Sequence, residues 1–287
     1  NARRWGGGFI HDECCVLNGN WMRIPAYNHM IWQIRMPSQA ILNVVQGQVL
    51  QTWEERNLMP PGISPKKGFA LDGEGLLWGA GRASLLFASM ELLPGRQKKK
   101  PLRFLEIAAS VGAPSLVALE KGYHVWSSDL NPTSAWQRWA GAEASFGVTA
   151  PELKRFRTLS LDVLDETTWP NMTFDVIFLS NEGFGNRPNK EEAARRTSTC
   201  CLSFAKLMRT RLASKGVGVV FALGQLLKTR NDHFDCMDRE HFAVMMHKPL
   251  AEGKWQSQWL QEKVLDFRTL HNLPIAFTLR RRNETNL

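Results

Sequence analysis

No stretch of this 287-residue chain approaches the ~18 consecutive apolar residues that a membrane-spanning helix needs. Its five cysteines, at 14, 15, 200, 201 and 236, include no Cys-x-x-Cys pair. An odd count in that spacing argues against a disulfide framework and against a zinc site. It leads to the expectation of reduced, mostly buried thiols in a cytoplasmic or nuclear protein. Nucleophile-elbow, P-loop and His-Glu-x-x-His motifs are missing too, so covalent hydrolysis, phosphate-loop chemistry and zinc proteolysis have no support in the sequence. Acids are the scarcer charge. The 27 Asp and Glu residues face 36 Lys and Arg, for a formal charge of +9, and such a balance favours an anionic partner, either nucleic acid or an acidic protein surface.

What is present is globular: 44% of the residues are hydrophobic. Residues 1–67 read as an N-terminal extension packing on the core, and 68–287 as the main domain. Residues 1–30 lack periodicity and suggest an irregular arm carrying Trp5 and Trp21. His11, Asp12, Glu13 and Cys14 are consecutive, so they point in different directions and do not make a metal set. Residues 31–53 read as two or three short strands, or a strand and a helix. Pro60, Pro61 and Pro65 mark a loop. The segment 76–93 has apolar residues at helical spacing, and its Gly79-Ala-Gly-Arg-Ala-Ser is a dinucleotide fingerprint short of its third glycine.

From residue 102 the chain alternates. Strands are expected at 102–107, 124–129, 157–163, 174–180 and 216–223. Helices are expected at 114–121, at 134–145 with Trp136, Trp139 and Ala140 on one side, at 190–213 and at 238–247. His233 and His241, with Asp232, Asp235 and Cys236, are too irregularly spaced for a metal site and read as a solvated helix start. The runs 263–270 and 275–281 are close enough to pair as an antiparallel hairpin. Alternating strands and helices imply an α/β fold with a mostly parallel sheet covered on both faces, and the closing hairpin implies a mixed edge.

The densest segment is Leu102 to Pro132. It reads strand, turn, helix, strand, with Glu106 closing the first strand and Asp129 the second. A carboxylate at the end of the second strand can accept hydrogen bonds from a ribose diol, so the segment suits a nucleotide-like cofactor. The turn between them is poor in glycine: Ala108 and Ser110 stand where glycines are usual, and only Gly112 remains.

Taken together, these residues resemble the S-adenosylmethionine-dependent seven-strand methyltransferases, and within them the eukaryotic protein-lysine methyltransferase-like group. The resemblance runs across about Gly68 to Arg281. It is carried by Trp78 in LLWGAGRASLLFASMEL, by LEIAASVGAPSL, by Asp129 in SSDLNP, by Asp162 in LSLDVLD, by FDVIFLSNEGF and by VVFALGQLLKTRNDHF. It implies a Rossmann-like seven-strand sheet, mostly parallel with a C-terminal antiparallel hairpin, and helices on both faces. It implies that Glu106 and the turn through Ala108, Ser110 and Gly112 hold the methionine part of S-adenosyl-L-methionine. Asp129 would bind the ribose hydroxyls, Asp162 and Val163 would lie at the adenine edge, and Trp78 would cover the cofactor. Asn181, Glu182 and Phe184 would line the substrate entrance as the catalytic set, Glu182 being the acid able to attract or deprotonate a lysine ammonium. The activity implied is methyl transfer to a protein side chain, lysine. Two alternatives stand beside it. One is amino-methylation of nucleic acid, which the +9 charge would suit. The other is a methyltransferase-like binding module without catalysis, which Ala108 and Ser110 motivate.

Overall fold

The computed structural model describes residues 16–18, 21–26, 30–35, 40–41, 92–94, 100–109, 112–130, 134–180, 190–223, 237–249, 255–259 and 274–282. Val16–Asn18 (β1), Trp21–Ala26 (β2) and Met30–Arg35 (β3) pair antiparallel in that order. The irregular arm expected over 1–30 is therefore corrected for these residues. Cross-strand partners such as Trp21 with Arg35 make them strands, and no alternation within one segment shows that pairing.

The main sheet holds Arg103–Ile107 (β4), His124–Asp129 (β5), Phe156–Ser160 (β6), Phe174–Ser180 (β7), Leu212–Leu223 (β8), Phe242–Pro249 (β9), Trp255–Trp259 (β10) and Pro274–Arg281 (β11). Their order across the sheet is β10-β9-β11-β8-β7-β4-β5-β6. The pairs β4 to β5, β5 to β6, β4 to β7 and β7 to β8 are parallel. The last strand, β11, lies antiparallel between β8 and β9. An antiparallel last strand inserted between the fifth and sixth is the arrangement of the Rossmann-like methyltransferase sheet, with β10 added at the edge. The antiparallel hairpin is formed by β9 and β10, which pair from Pro249 with Trp255 to Met245 with Trp259. Residues 263–270 lie outside the described residues.

The helix expected at 238–247 is corrected to strand β9. Phe242, Val244 and Met246 are buried and alternate with half-buried Ala243 and Met245, a period of two. His247 then ties three strands together. Its Nδ1 lies 2.9 Å from Ser257 Oγ on β10 and its Nε2 2.8 Å from Thr278 Oγ1 on β11, and burial pushes its pKa down to about 4. A side-chain rung between neighbouring strands fits a sheet position, and the paired methionines, Met245 and Met246, hide it from a propensity reading.

Helices cover both faces. On one face, Ala113–Glu120 (α1) and Ser134–Phe146 (α2) pack Leu116, Leu119 and Ala142 onto Phe104, Val125, Phe156 and Phe178. On the other, Lys190–Arg211 (α3) packs Phe204, Leu207 and Met208 onto Leu105, Ile177 and Leu179. Gly218 on β8 sits directly under this helix, and a Cβ there would lie 2.0 Å from Met208 Cε. The buried face of α2 differs from the expectation. Trp136 is exposed and Trp139 half-buried against the Phe156 ring, whereas Arg138 and Ala142, one turn apart, point into the protein.

The expectation of reduced thiols is corrected at one position. Cys201, fully buried in α3, is disulfide-bonded. Sequence spacing does not reveal which cysteines the fold brings together.

Candidate cofactor site at the strand ends

The chain runs outward from β4 through β5 to β6, then returns to the far side of β4 as β7. Order reverses between β4 and β7, and the carboxyl ends of the strands around such a reversal form the crevice where open α/β sheets bind ligands. Glu106, Ala108, Gly112 and Asp129 all sit at that end, on β4, β5 and the turn into α1.

Glu106 is the penultimate residue of β4 and is 1% exposed. One of its oxygens, Oε2, accepts a hydrogen bond from the Ser115 backbone N–H at 3.0 Å and another from the Ser115 hydroxyl. Ser115 lies in the first turn of α1, whose own N-cap, Gly112, supplies no side-chain bond. Glu106 thus caps the helix from the preceding strand. Burial pushes its carboxyl up to about 8, against the opposing pull of the Ser115 bonds and of Arg138, with Asp129 pushing it slightly further up.

Both described ends of the turn keep glycine-like backbone. Ala108 has φ of 56°, in the left-handed region, and Gly112 has φ of 75°. Ala109 N–H donates to Ser128 O at 2.8 Å, Gly112 N–H to Ala109 O at 2.7 Å, and Ser128 Oγ to Glu106 O at 2.5 Å. These bonds over-determine the backbone and hold Ala108 where a Cβ costs about 1–2 kcal/mol. Ala108→Gly is therefore expected to raise stability by about 0.5–1 kcal/mol, the strain relieved less the added flexibility of the unfolded chain. Urea unfolding of the two proteins measures this, and a loss of stability would show that Ala108 is not strained.

Gly112 is also closely packed. A Cβ at this position would meet Arg138 Cδ at 3.2 Å, Arg138 Cγ at 3.3 Å and Ser127 Oγ at 3.3 Å. Ser127 Oγ is itself buried with no hydrogen-bond partner among the described residues. A glycine cradle over an unsatisfied hydroxyl, next to two strand-end carboxylates, fits a polar ligand lying along the turn.

Asp129 ends β5 half-buried, opposite Ser160, with its carbonyl accepting from Leu161 N–H at 3.1 Å. Asp162 lies just past β6. Its Oδ1 accepts from its own chain at Leu164 N–H, 2.9 Å away, and its carbonyl accepts from Trp169 Nε1 at 3.0 Å. Asp162 thereby shapes the turn that carries it to the crevice, and one carboxylate oxygen is taken up in doing so. The adjacent Asp165 caps the short 3-10 turn Glu166–Thr168, and the bonds from Thr167 hold its carboxyl below the usual range. Val163 is buried in the core cluster beside Leu161 and Trp169. Trp78, Ser110, Asn181, Glu182 and Phe184 lie outside the described residues.

Reading the sequence missed Arg138, Ser115, Ser127 and Ser128. For Arg138 a signal existed: it shares a helical stripe with Ala142, which puts a cation on the buried side of α2. The three serines carry none, because their roles come from contacts between elements. A different group, Asp238, Glu240 and His241, brings three potential metal-ligating atoms within 4.8 Å of one another. It sits at the amino end of β9, at the opposite edge of the sheet from the crevice. Asp238 is already held by Arg209 at 3.0 Å and His241 at 2.8 Å.

No family profile and no curated protein sequence matches the chain. Among solved structures it is similar to a TehB-like SAM-dependent methyltransferase from Corynebacterium glutamicum, at 13% identity and TM-score 0.44, over 83% of this chain and 99% of that one. It is also similar to a magnesium protoporphyrin IX methyltransferase from Synechocystis with bound SAH, at 11% identity and TM-score 0.48, over 85% of this chain and 100% of that one. A third is an O-methyltransferase family 2 protein from Planctomyces limnophilus in complex with apigenin, at 14% identity and TM-score 0.47, over 72% and 60%. These likenesses concern the fold.

Proposed function

We propose that this protein binds S-adenosylmethionine at the carboxyl ends of β4 and β5 and transfers its methyl group to a protein side-chain amine, that of lysine. The observation that carries the reading is the position of Glu106 and Asp129 at adjacent strand ends beside the order reversal, in a sheet whose antiparallel last strand is inserted between the fifth and sixth. The cofactor supplies an electrophilic methyl on a sulfonium. The chain's part is to bind, orient and exclude water, because an in-line displacement needs no covalent enzyme intermediate. In this reading Asp129 accepts from the ribose hydroxyls, and the turn from Ala108 to Gly112 runs beside the methionine portion. Asn181, Glu182 and Phe184 flank the incoming amine beyond β7.

Calorimetry with S-adenosylmethionine and S-adenosylhomocysteine tests the cofactor. Saturable heat in the micromolar range is expected, and no binding at millimolar cofactor would leave only the binding-module reading. Substrate class is tested with a radiolabelled methyl donor and whole lysate, followed by hydrolysis. Label in methyl-lysine is expected. Label in methylated nucleosides would instead support the second reading, an amino-methyltransferase of nucleic acid. That reading has its own observation: Arg103, Arg155 and Arg157 surround His124 at the amino edge of the sheet, and after burial their charges help hold its pKa below the usual value.

A further inference from the structure

Arg138 is 1% exposed, and yet it is a cation in the middle of the candidate site. Its Nη2 donates to Ser127 O at 3.4 Å and to Leu159 O at 3.3 Å, which are carbonyls of β5 and β6. Its aliphatic stem packs against Gly112, where an added Cβ would lie 3.2 Å from Cδ and 3.3 Å from Cγ. Both strand-end carboxylates, Asp129 and Glu106, act on its charge. A buried guanidinium is costly unless paired, and a residue needed only to fill space there would be apolar.

We propose that Arg138 is a positioning residue for the cofactor site, a buried cation that braces the Gly112 turn by packing and holds the Asp129 and Glu106 carboxylates ready for a net-cationic cofactor by charge. The cofactor part rests on the function proposed above. The electrostatic part concerns the protein alone. Among the described residues, the groups facing Glu106 are Ser115 from α1, Arg138 from α2 and Asp129 from β5. Of these only Arg138 is a cation, so it is the group that favours the ionised form of Glu106 through its charge. Cofactor affinity should then rise with pH as Glu106 ionises, and the midpoint of that rise should depend on Arg138.

Three proteins test this: wild type, Arg138→Lys and Arg138→Met. The Glu106 titration is followed first without cofactor, by the carboxyl carbon shift of labelled glutamate, with Glu106→Gln assigning the signal. The expected result is a midpoint moved upward by about one unit in Arg138→Met, a tenfold change in the ionisation constant, and little moved in Arg138→Lys. Cofactor affinity is then measured across pH. In Arg138→Met it should fall about tenfold at neutral pH and follow the shifted midpoint, with Arg138→Lys recovering most of the loss. A purely structural role would weaken binding at every pH alike without moving either midpoint, and that result overturns the proposal. Equal shifts in the Lys and Met variants would also overturn it. Failure of wild type to bind cofactor refutes the proposed function instead, and leaves the Glu106 midpoint as the deciding measurement. Should Arg138→Met not fold, the midpoint in Arg138→Lys decides: an upward shift as large as one unit with the cation retained counts against the proposal.

Discussion

Asp129→Ala is expected to weaken S-adenosylmethionine binding about 100-fold while leaving the fold intact. A ribose diol gives a carboxylate two hydrogen bonds, and bonds to a charged acceptor contribute about 1.5–3 kcal/mol each, so losing both removes about 3 kcal/mol or more. The backbone at this position is set by its neighbours. Asp129 pairs with Ser160 across β5 and β6, and its carbonyl is taken by Leu161 N–H. Removing the side chain therefore removes the acceptor without moving the strand. Asp129→Asn keeps one acceptor oxygen and loses the charge, so an intermediate loss of about tenfold is expected. Calorimetry on the three proteins, with thermal unfolding as the control for folding, measures both. Unchanged affinity in Asp129→Ala would refute the placement of the cofactor.

Glu106→Gln is expected to change how stability depends on pH more than any other single substitution in the site. Burial raises the folded carboxyl from 4.5 to about 8. Between those values the unfolded chain has released the Glu106 proton and the folded chain still holds it. Raising the pH therefore favours the unfolded state: the contribution is fully present below about pH 4.5 and is lost as pH climbs through about 8. At ~1.4 kcal/mol per pH unit the loss across the window amounts to a few kcal/mol. Glutamine keeps an acceptor for Ser115 N–H and cannot ionise, so the variant should lack this slope and exceed wild type in stability at pH 8. Urea unfolding from pH 5 to pH 8.5 checks it, and parallel curves would show that Glu106 does not hold its proton in the fold. The same variant should bind cofactor less well, because a neutral amide offers a cationic ligand no charge. Gain in stability and loss of binding in one substitution would mark Glu106 as a group kept for its ligand at a cost to the unliganded fold.

The sheet was legible because its strands announce themselves locally. FDVIFLS holds the apolar run VIFL, as suits a strand covered on both faces, and β7 is central with buried Val176, Ile177, Phe178 and Leu179. LRFLEI carries an acid one residue before its end and HVWSSD ends in one, and the two acids arrive at neighbouring strand ends because β4 and β5 pair in parallel. Where local signal and tertiary context disagreed, context won. Methionine and alanine suit a helix, and residues 242–247 still form a strand, because β11 offers an antiparallel partner from Phe242 with Arg281 to His247 with Ala276. Tryptophans look like core, and Trp136 is nevertheless exposed while Arg138 is buried, because the carboxylates and carbonyls inside offer the guanidinium a partner that an indole could not use.

From the sequence alone came the order of strands and helices from β4 to β8, the two acids, and the shortage of glycine in the turn between them. Those are one-dimensional facts: periodicity, residue type and spacing survive without knowledge of neighbours. Tertiary structure alone decided what the shortage means. Ala108 takes up a left-handed backbone that a glycine would adopt freely, held by bonds from β5, so the missing glycine at 108 leaves strained backbone at that residue. It also decided the charge balance of the site. Glu106 is a capping carboxyl near neutrality and Arg138 a buried cation beneath it only because α1, α2, β4 and β5 meet there, and both burial and Coulomb energy depend on distances that the chain acquires on folding.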